Sequence, residues 1–220
     1  MKPSATYLDH AASAPLLPEA RDAMLAALDL AGNPSSVHQH GRALRALIDS
    51  ARAVVAKAAG ATRGQLVFTG SATEAITQAI VGGSRTFGVS GVVVSAGEHT
   101  AVLRAAESTG LPVTRIGLDA DGYIRIDELA AVLAGATGKL LVALHHVNNE
   151  TGVVQPMDRI AVMVGASPHY LVIDAAQAFG KVNLDFASGA PDMVAIGGHK
   201  IGAPGGIRAL LTKAPCHEAR

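Results

Sequence analysis

The sequence predicts an α/β fold, a mostly parallel β-sheet flanked by helices. Three observations carry that expectation. Short apolar runs alternate with helical segments along most of the chain. Several of the runs are continuous in Val, Ile and Leu, as strands covered on both faces must be. Polar residues collect just after the runs, where the carboxyl ends of parallel strands carry ligand-binding loops.

Taken in order, a first helix is expected from Pro18 to Leu30, with proline in its first turn and Gly32 beyond its end. Leu44, Leu47, Ile48, Ala51, Val54, Val55 and Ala58 keep the spacing of a second helix with one buried stripe. Ser35 or Ser36 can cap its start and Gly60 can end it. Strands are expected at Gln65–Thr69, Gly91–Ser95, Val113–Ile116, Leu140–His145, Tyr170–Asp174, Met193–Ile196 and Ile207–Leu211. Helices fit between them at Ala72–Gly82, Thr100–Ser108, Asp127–Leu133 and Met157–Val164. There is no fixed-period repeat and no evident linker, so one large domain is expected over residues 18–212. An N-terminal segment, 1–17, precedes it and a tail, 213–220, follows.

Composition narrows the function classes. The 220 residues carry 18 Lys and Arg against 18 Asp and Glu, which argues against a role driven by bulk attraction to nucleic acid or anionic membranes. The longest stretch free of Asp, Glu, Lys and Arg runs from Ile160 to Ile173, short of the about 20 apolar residues a membrane span needs. The opening Met1-Lys2-Pro3-Ser4 lacks a secretory apolar core, and the single Cys216 leaves no internal disulfide framework or cysteine-rich zinc site. The expectation is a soluble, cytoplasmic chain. His145 and His146 are adjacent, so on a strand they face opposite ways, and no His-Glu-x-x-His spacing supports a metal hydrolase.

The strand ends hold the chemistry. Gly70-Ser71-Ala72-Thr73-Glu74 follows the first strand and opens a helix; free N–H groups there favour an anion such as phosphate, while a Ser or Thr helix cap accounts for the same residues. Later strands deliver Gly97-Glu98-His99, His146-Val147-Asn148-Asn149, Asp174-Ala175-Ala176-Gln177 and Gly197-Gly198-His199-Lys200. Singly, each has an ordinary reading: Asp as cap, His as polar surface, Lys as a snorkelling side chain. Together they fit one cofactor. A buried lysine forms a Schiff base with a carbonyl, and pyridoxal phosphate brings that carbonyl, a phosphate and a ring nitrogen that a carboxylate keeps protonated. An imidazole can stack on its ring, and a glutamine amide can bond its phenolic oxygen.

Seven stretches, in order, are similar to the cysteine desulfurases of the class V aminotransferase family. They are Tyr7-Leu8-Asp9-His10-Ala11-Ala12, Gly32-Asn33-Pro34-Ser35-Ser36-Val37-His38, Phe68-Thr69-Gly70-Ser71-Ala72-Thr73-Glu74, Glu98-His99, His146-Val147-Asn148-Asn149-Glu150-Thr151-Gly152, Asp174-Ala175-Ala176-Gln177 and Gly198-His199-Lys200. The resemblance covers about residues 6 to 212. It implies the pyridoxal-phosphate-dependent transferase fold, resembling the aspartate aminotransferase large domain, with residues 18–212 as the cofactor-binding domain. It implies Lys200 as the Schiff-base lysine and proton shuttle, and His99 stacked on the ring as a possible proton relay. Asp174 would pair with the pyridine nitrogen and Gln177 with the ring oxygen. Ala72 (by its backbone), Thr73 and His199 would hold the phosphate, and Asn149 would sit near ring and substrate. The implied substrate is L-cysteine, giving alanine and passing sulfur to an acceptor protein for uses such as iron–sulfur cluster assembly; intact relatives are expected to be homodimers.

Two local departures stand out. Relatives commonly carry Ser where this chain has Gly197, and Ser-Gly where it has Gly70-Ser71. A lost hydrogen bond to a charged group is worth about 1.5–3 kcal/mol unless something replaces it, and Ser71 is one candidate. Family members also continue well past the lysine. The arginine for the substrate carboxylate and the sulfur-accepting cysteine are therefore expected in a C-terminal small domain this sequence lacks. Cys216, beside His217, reads as an ordinary tail cysteine. Other class V lyases or transaminases, such as selenocysteine lyase, and a non-catalytic or partner-completed half-enzyme, stay open on the sequence.

Overall fold

The computed structural model describes residues 5–184, 186–188 and 191–214. Cys216 lies outside them, as does most of the expected tail. Seven strands form one sheet: β1 (Leu66–Thr69), β2 (Gly91–Ser95), β3 (Val113–Ile116), β4 (Leu140–His145), β5 (Tyr170–Asp174), β6 (Met193–Gly197) and β7 (Arg208–Thr212). Their order is β1-β7-β6-β5-β4-β2-β3. Strands β3, β2, β4, β5 and β6 pair in parallel, whereas β7 runs antiparallel to both neighbours, β1 and β6. All strands except β7 therefore end at one edge of the sheet, and β7 begins there.

Period-2 alternation splits each central strand between two apolar cores. Val93, Val142, Leu144, Leu171 and Ile173 face one core; Val92, Val94, Leu141, Ala143 and Val172 face the other. Helices α6 (Ile126–Gly135) and α7 (Met157–Gly165) cover the first face through Leu129, Leu133, Ile160 and Val164. The second is covered by α5 (Thr100–Ser108) and by a rod running without a break from Ala72 to Phe87. That rod comprises α3 (Ala72–Thr77), a π-helical turn (Gln78–Gly82) and α4 (Gly83–Phe87), so the expected helix Ala72–Gly82 is extended by one further turn and widened in its middle. The fully buried Leu and Ile side chains of these layers, including Ile76, Ile80, Leu141 and Leu171, each contribute about 1.5–3 kcal/mol of burial.

The first two helices depart from expectation. Helix α1 (Pro18–Leu28) buries no residue. Helix α2 (Gln39–Ala58) is capped not by Ser35 or Ser36 but by His38, whose ring Nδ1 accepts from the Gly41 amide at 3.3 Å. Starting at Gln39 places Gly41 in the first turn, and a Cβ there would lie 2.2 Å from the Ser36 carbonyl oxygen, so the turn before the helix closes only over glycine. Gly60 ends the segment as expected, with φ +72°. The apolar stripe has helical spacing but is largely uncovered: α2 buries only Gly41 and Ala56, and Leu47 and Val54 are 44% and 66% exposed.

Candidate active site

Every strand end named from the sequence feeds one cavity of about 290 Å³. Its walls include Ala72, Thr73, His99, Asn149, Asp174, Gln177, His199 and Lys200, all eight of the residues singled out by sequence. The volume is near the low end of small-molecule sites, which run from about 300 Å³. A larger cavity, about 710 Å³, opens at the opposite edge of the sheet, where β6 begins at Met193 and β7 ends at Thr212. The convergent strand-end loops are not there, so the smaller cavity is the chemical one.

The loops are built by ordinary local rules. Ser71 caps α3, its Oγ accepting from the Glu74 amide at 3.0 Å, while Glu74 accepts from the Gly70 amide at 2.8 Å. The cap reading of this motif is thus realised, and the same residues still line the cavity. His99 caps α5 through Nδ1, which accepts from the Ala101 amide at 3.1 Å. Buried Asn148 ties two loops together: its Nδ2 donates to the Gly97 carbonyl, and its Oδ1 accepts from the amides of Glu150 and Thr151. That leaves Asn149 facing the cavity, with its amide donating to Glu150 at 2.7 Å. Gly198 is required by space, since a Cβ would lie 2.9 Å from the Ala203 Cβ and 3.1 Å from the Ile207 carbonyl oxygen.

One end of the cavity is acidic. Asp174, the last residue of β5, accepts from the Ala176 amide at 2.9 Å. Burial pushes its carboxyl above the ordinary range and Glu98 adds to the rise, against the Ala176 hydrogen bond and the nearby His99 and His145. Behind it, Glu98 Oε1 accepts from Ser95 Oγ (2.6 Å), the His145 amide (3.0 Å) and His145 Nδ1 (2.8 Å). Gln155 Oε1 accepts from the Ile124 amide, so its Nε2 is the atom that donates to His145 Nε2, at 3.2 Å. His145 is therefore the tautomer with its proton on Nδ1, held by Glu98.

The other end is cationic. Arg208 and Lys200 line the cavity beside His199, with Lys181 close by. Burial lowers the Lys200 ammonium, and Lys181 and Arg208 lower it further, against Asp174 and Asp9. The His199 imidazole is pushed down to about 4 by burial, then by Arg208, Lys200 and Lys181. His199 Nδ1 and Arg208 Nε are buried without a hydrogen-bond partner. Lys200 Nζ and Gln177 Nε2 both donate to the Ala11 carbonyl, at 2.6 and 2.7 Å, and Lys181 donates to Gln177 Oε1 at 3.2 Å. The N-terminal segment is held there by two further bonds, from the Ala14 amide to the His199 carbonyl and from the Leu17 amide to the Gly202 carbonyl, each 2.9 Å.

Three participants were not named from sequence. His145 was read only as one of an adjacent pair, Ala11 only as part of a motif, and Arg208 not at all. The visible signal for Arg208 is a charge interrupting the apolar run Ile207–Leu211.

Comparison with known proteins gives the family and the fold. The family model described as Aminotransferase class-V matches residues 6–219. The chain belongs to that family. Among curated class-V relatives, the cysteine desulfurase IscS of Dictyoglomus turgidum is 34% identical over 213 residues, covering 94% of this chain and 54% of the relative. Among solved structures, SspA in complex with cysteine superposes with a TM-score of 0.88 at 32% identity, over 95% of this chain and 61% of that one. DndA from Streptomyces lividans gives 0.81 at 37% identity, over 94% and 59%. The chain thus spans about half the length of the curated relatives it matches. Its sheet is the mostly parallel one the sequence predicted, and among the described residues no helix is long and apolar enough to cross a membrane.

Proposed function

We propose that this class-V chain binds pyridoxal 5'-phosphate through Lys200 and is the cofactor-binding part of a cysteine desulfurase. The observation that carries the reading is the polarised cavity. Buried nitrogens without hydrogen-bond partners among the described residues, His199 Nδ1 and Arg208 Nε, stand at one end, and a desolvated carboxyl, Asp174, stands at the other. A dianionic phosphate and a protonated ring nitrogen are the groups those two ends lack.

When bound, pyridoxal phosphate supplies a carbonyl for the lysine and a ring that draws electrons from the substrate's α-carbon. The chain's own residues do the rest. Burial, with Lys181 and Arg208, shifts Lys200 toward its free amine, the form that attacks a carbonyl and can later carry a proton at the α-carbon. Asp174 holds the ring nitrogen's proton, and the Glu98–His145 pair sets the field behind it. Gln177, whose Nε2 donates to Ala11, would supply an amide N–H for the ring oxygen. His99 would cover a ring face and Asn149 would stand near the substrate. Ala72 through its amide, Thr73 and His199 would hold the phosphate. On this reading residues 18–212 are the cofactor-binding domain, and the segment before them closes over its mouth. L-cysteine as substrate, with alanine as product and sulfur leaving to an acceptor protein, is supported by the cysteine-bound SspA and by the cysteine desulfurases among the relatives.

The test is to purify the chain with pyridoxal phosphate and record its visible spectrum. A yellow band that is absent in Lys200→Ala is expected. No band, or one undiminished in the variant, overturns the assignment.

A further inference from the structure

Arg208 lines the cavity, yet it belongs to none of the sequence stretches that named the site. It opens β7 directly opposite Gly197 of β6 on one side and Thr69 of β1 on the other. Those two strand ends lead into Gly70–Thr73 and Gly198–Lys200, so Arg208 stands between the two loops that carry Thr73 and His199. The residue is only 9% exposed. Its Nη1 donates to its own Ile207 carbonyl at 2.7 Å, its Nε is buried with no partner, and among the described residues no carboxylate pairs with it. Leaving a buried guanidinium N–H unsatisfied is unfavourable unless a ligand completes it.

Gly197 explains how it fits. A Cβ at this position would lie 3.4 Å from both Cδ and Nε of Arg208 and 3.6 Å from the Ala176 Cβ. These are ordinary contact distances, so the arginine stem lies directly beside the place a side chain at 197 would take. Ser71, the other candidate to replace a missing hydroxyl, accepts through Oγ in the cap of α3 and keeps its O–H donor, so it can act beside Arg208 but brings no charge.

Resting on the reading that the cavity takes pyridoxal phosphate, we propose that Arg208 is a phosphate-binding residue of this chain, its guanidinium, beside Gly197, supplying the donors that the absent hydroxyl there does not. The ligand group it recognises is a phosphate monoester dianion, for which a guanidinium offers a planar, charge-assisted fork.

The experiment is a binding comparison on the purified chain, with pyridoxal phosphate and unphosphorylated pyridoxal titrated separately and inorganic phosphate added in a thermal-shift series. Arg208→Gln is expected to weaken pyridoxal phosphate about 10- to 100-fold, the scale of hydrogen bonds to a charged group, while changing pyridoxal less than about twofold. Inorganic phosphate should raise the melting temperature of the unaltered chain and not that of Arg208→Gln. Arg208→Lys, which keeps the charge without the fork, should fall between the two. Equal loss for both ligands, or no loss for either, overturns the proposal. Should neither aldehyde ligand give a Lys200-dependent band, the cofactor reading fails. The phosphate series then decides for Arg208: protection lost in Arg208→Gln sustains it and protection retained refutes it.

Discussion

The two ends of the cavity are built on different terms. At the acidic end, Asp174 sits on β5 and accepts from the Ala176 amide, and Glu98, His145, Ser95 and Gln155 behind it bond to one another and to backbone, leaving Glu98 Oε2 buried without a partner among the described residues. At the cationic end, His199 and Arg208 each keep a buried nitrogen with no partner, and Lys200 is engaged only by a backbone carbonyl. The first end is bonded largely within the fold; the second, on the proposed reading, is completed by an anion. The contrast separates residues kept for the fold from residues kept for the ligand, and it can be broken by measurement.

The largest effect on stability is expected at the acidic end. His145→Ala removes a buried partner from both Glu98 and Gln155, and should cost about 2–3 kcal/mol in urea unfolding. Arg208→Gln, read the same way, should cost nothing or stabilise. If the two costs are alike, the contrast is false.

Asp174 bridges the two kinds of residue. Its folded carboxyl titrates above the ordinary value of 3.8, so the folded chain binds the proton more tightly than the unfolded one, and stability is lost as pH rises through the folded value. Asp174→Asn should therefore raise the melting temperature of the ligand-free chain at pH above neutrality. It should also weaken pyridoxal phosphate about 10- to 100-fold, by loss of a charged hydrogen bond. Loss of both stability and binding would show the carboxylate to be structural.

A smaller effect concerns pH at the cationic end. His199 titrates at about 4 in the folded chain against 6.5 ordinarily. Between those values the unfolded chain binds more protons, so stability falls as pH drops across the window. The melting temperature should fall less steeply there in His199→Gln, and equal slopes would contradict the assignment. The smallest effect is expected far from the cavity. Leu47→Ser on the exposed face of α2 should change stability by no more than about 0.5 kcal/mol, although its spacing marks it as core.

The same contrast governs what the sequence made legible. Strands such as Gly91–Ser95, Leu140–His145 and Tyr170–Asp174 have the bounds expected of them, because a doubly covered strand must be apolar throughout and turn residues punctuate it. The stretches holding the eight cavity residues were visible because parallel strands all deliver their next residues to one edge, and the family resemblance picked the eight out of those stretches. Arg208 was not, because it begins a strand that runs the other way, and nothing within Ile207–Leu211 reveals direction. On α2 the periodicity was visible, but period shows only which residues share a face. What covers that face depends on partners remote in sequence, and here Leu47 and Val54 remain open.

The carbonyl of Ala11 has a consequence of its own. It accepts from Lys200 and Gln177 together, while the chain three to six residues later is bonded to the backbone of His199 and Gly202. The beginning of the chain thus holds the Lys200 amine and is fastened to the loop bearing it. Opening of that strap would carry the Ala11 carbonyl away from Lys200, and amide exchange at Ala14 and Leu17 would measure how often the strap opens.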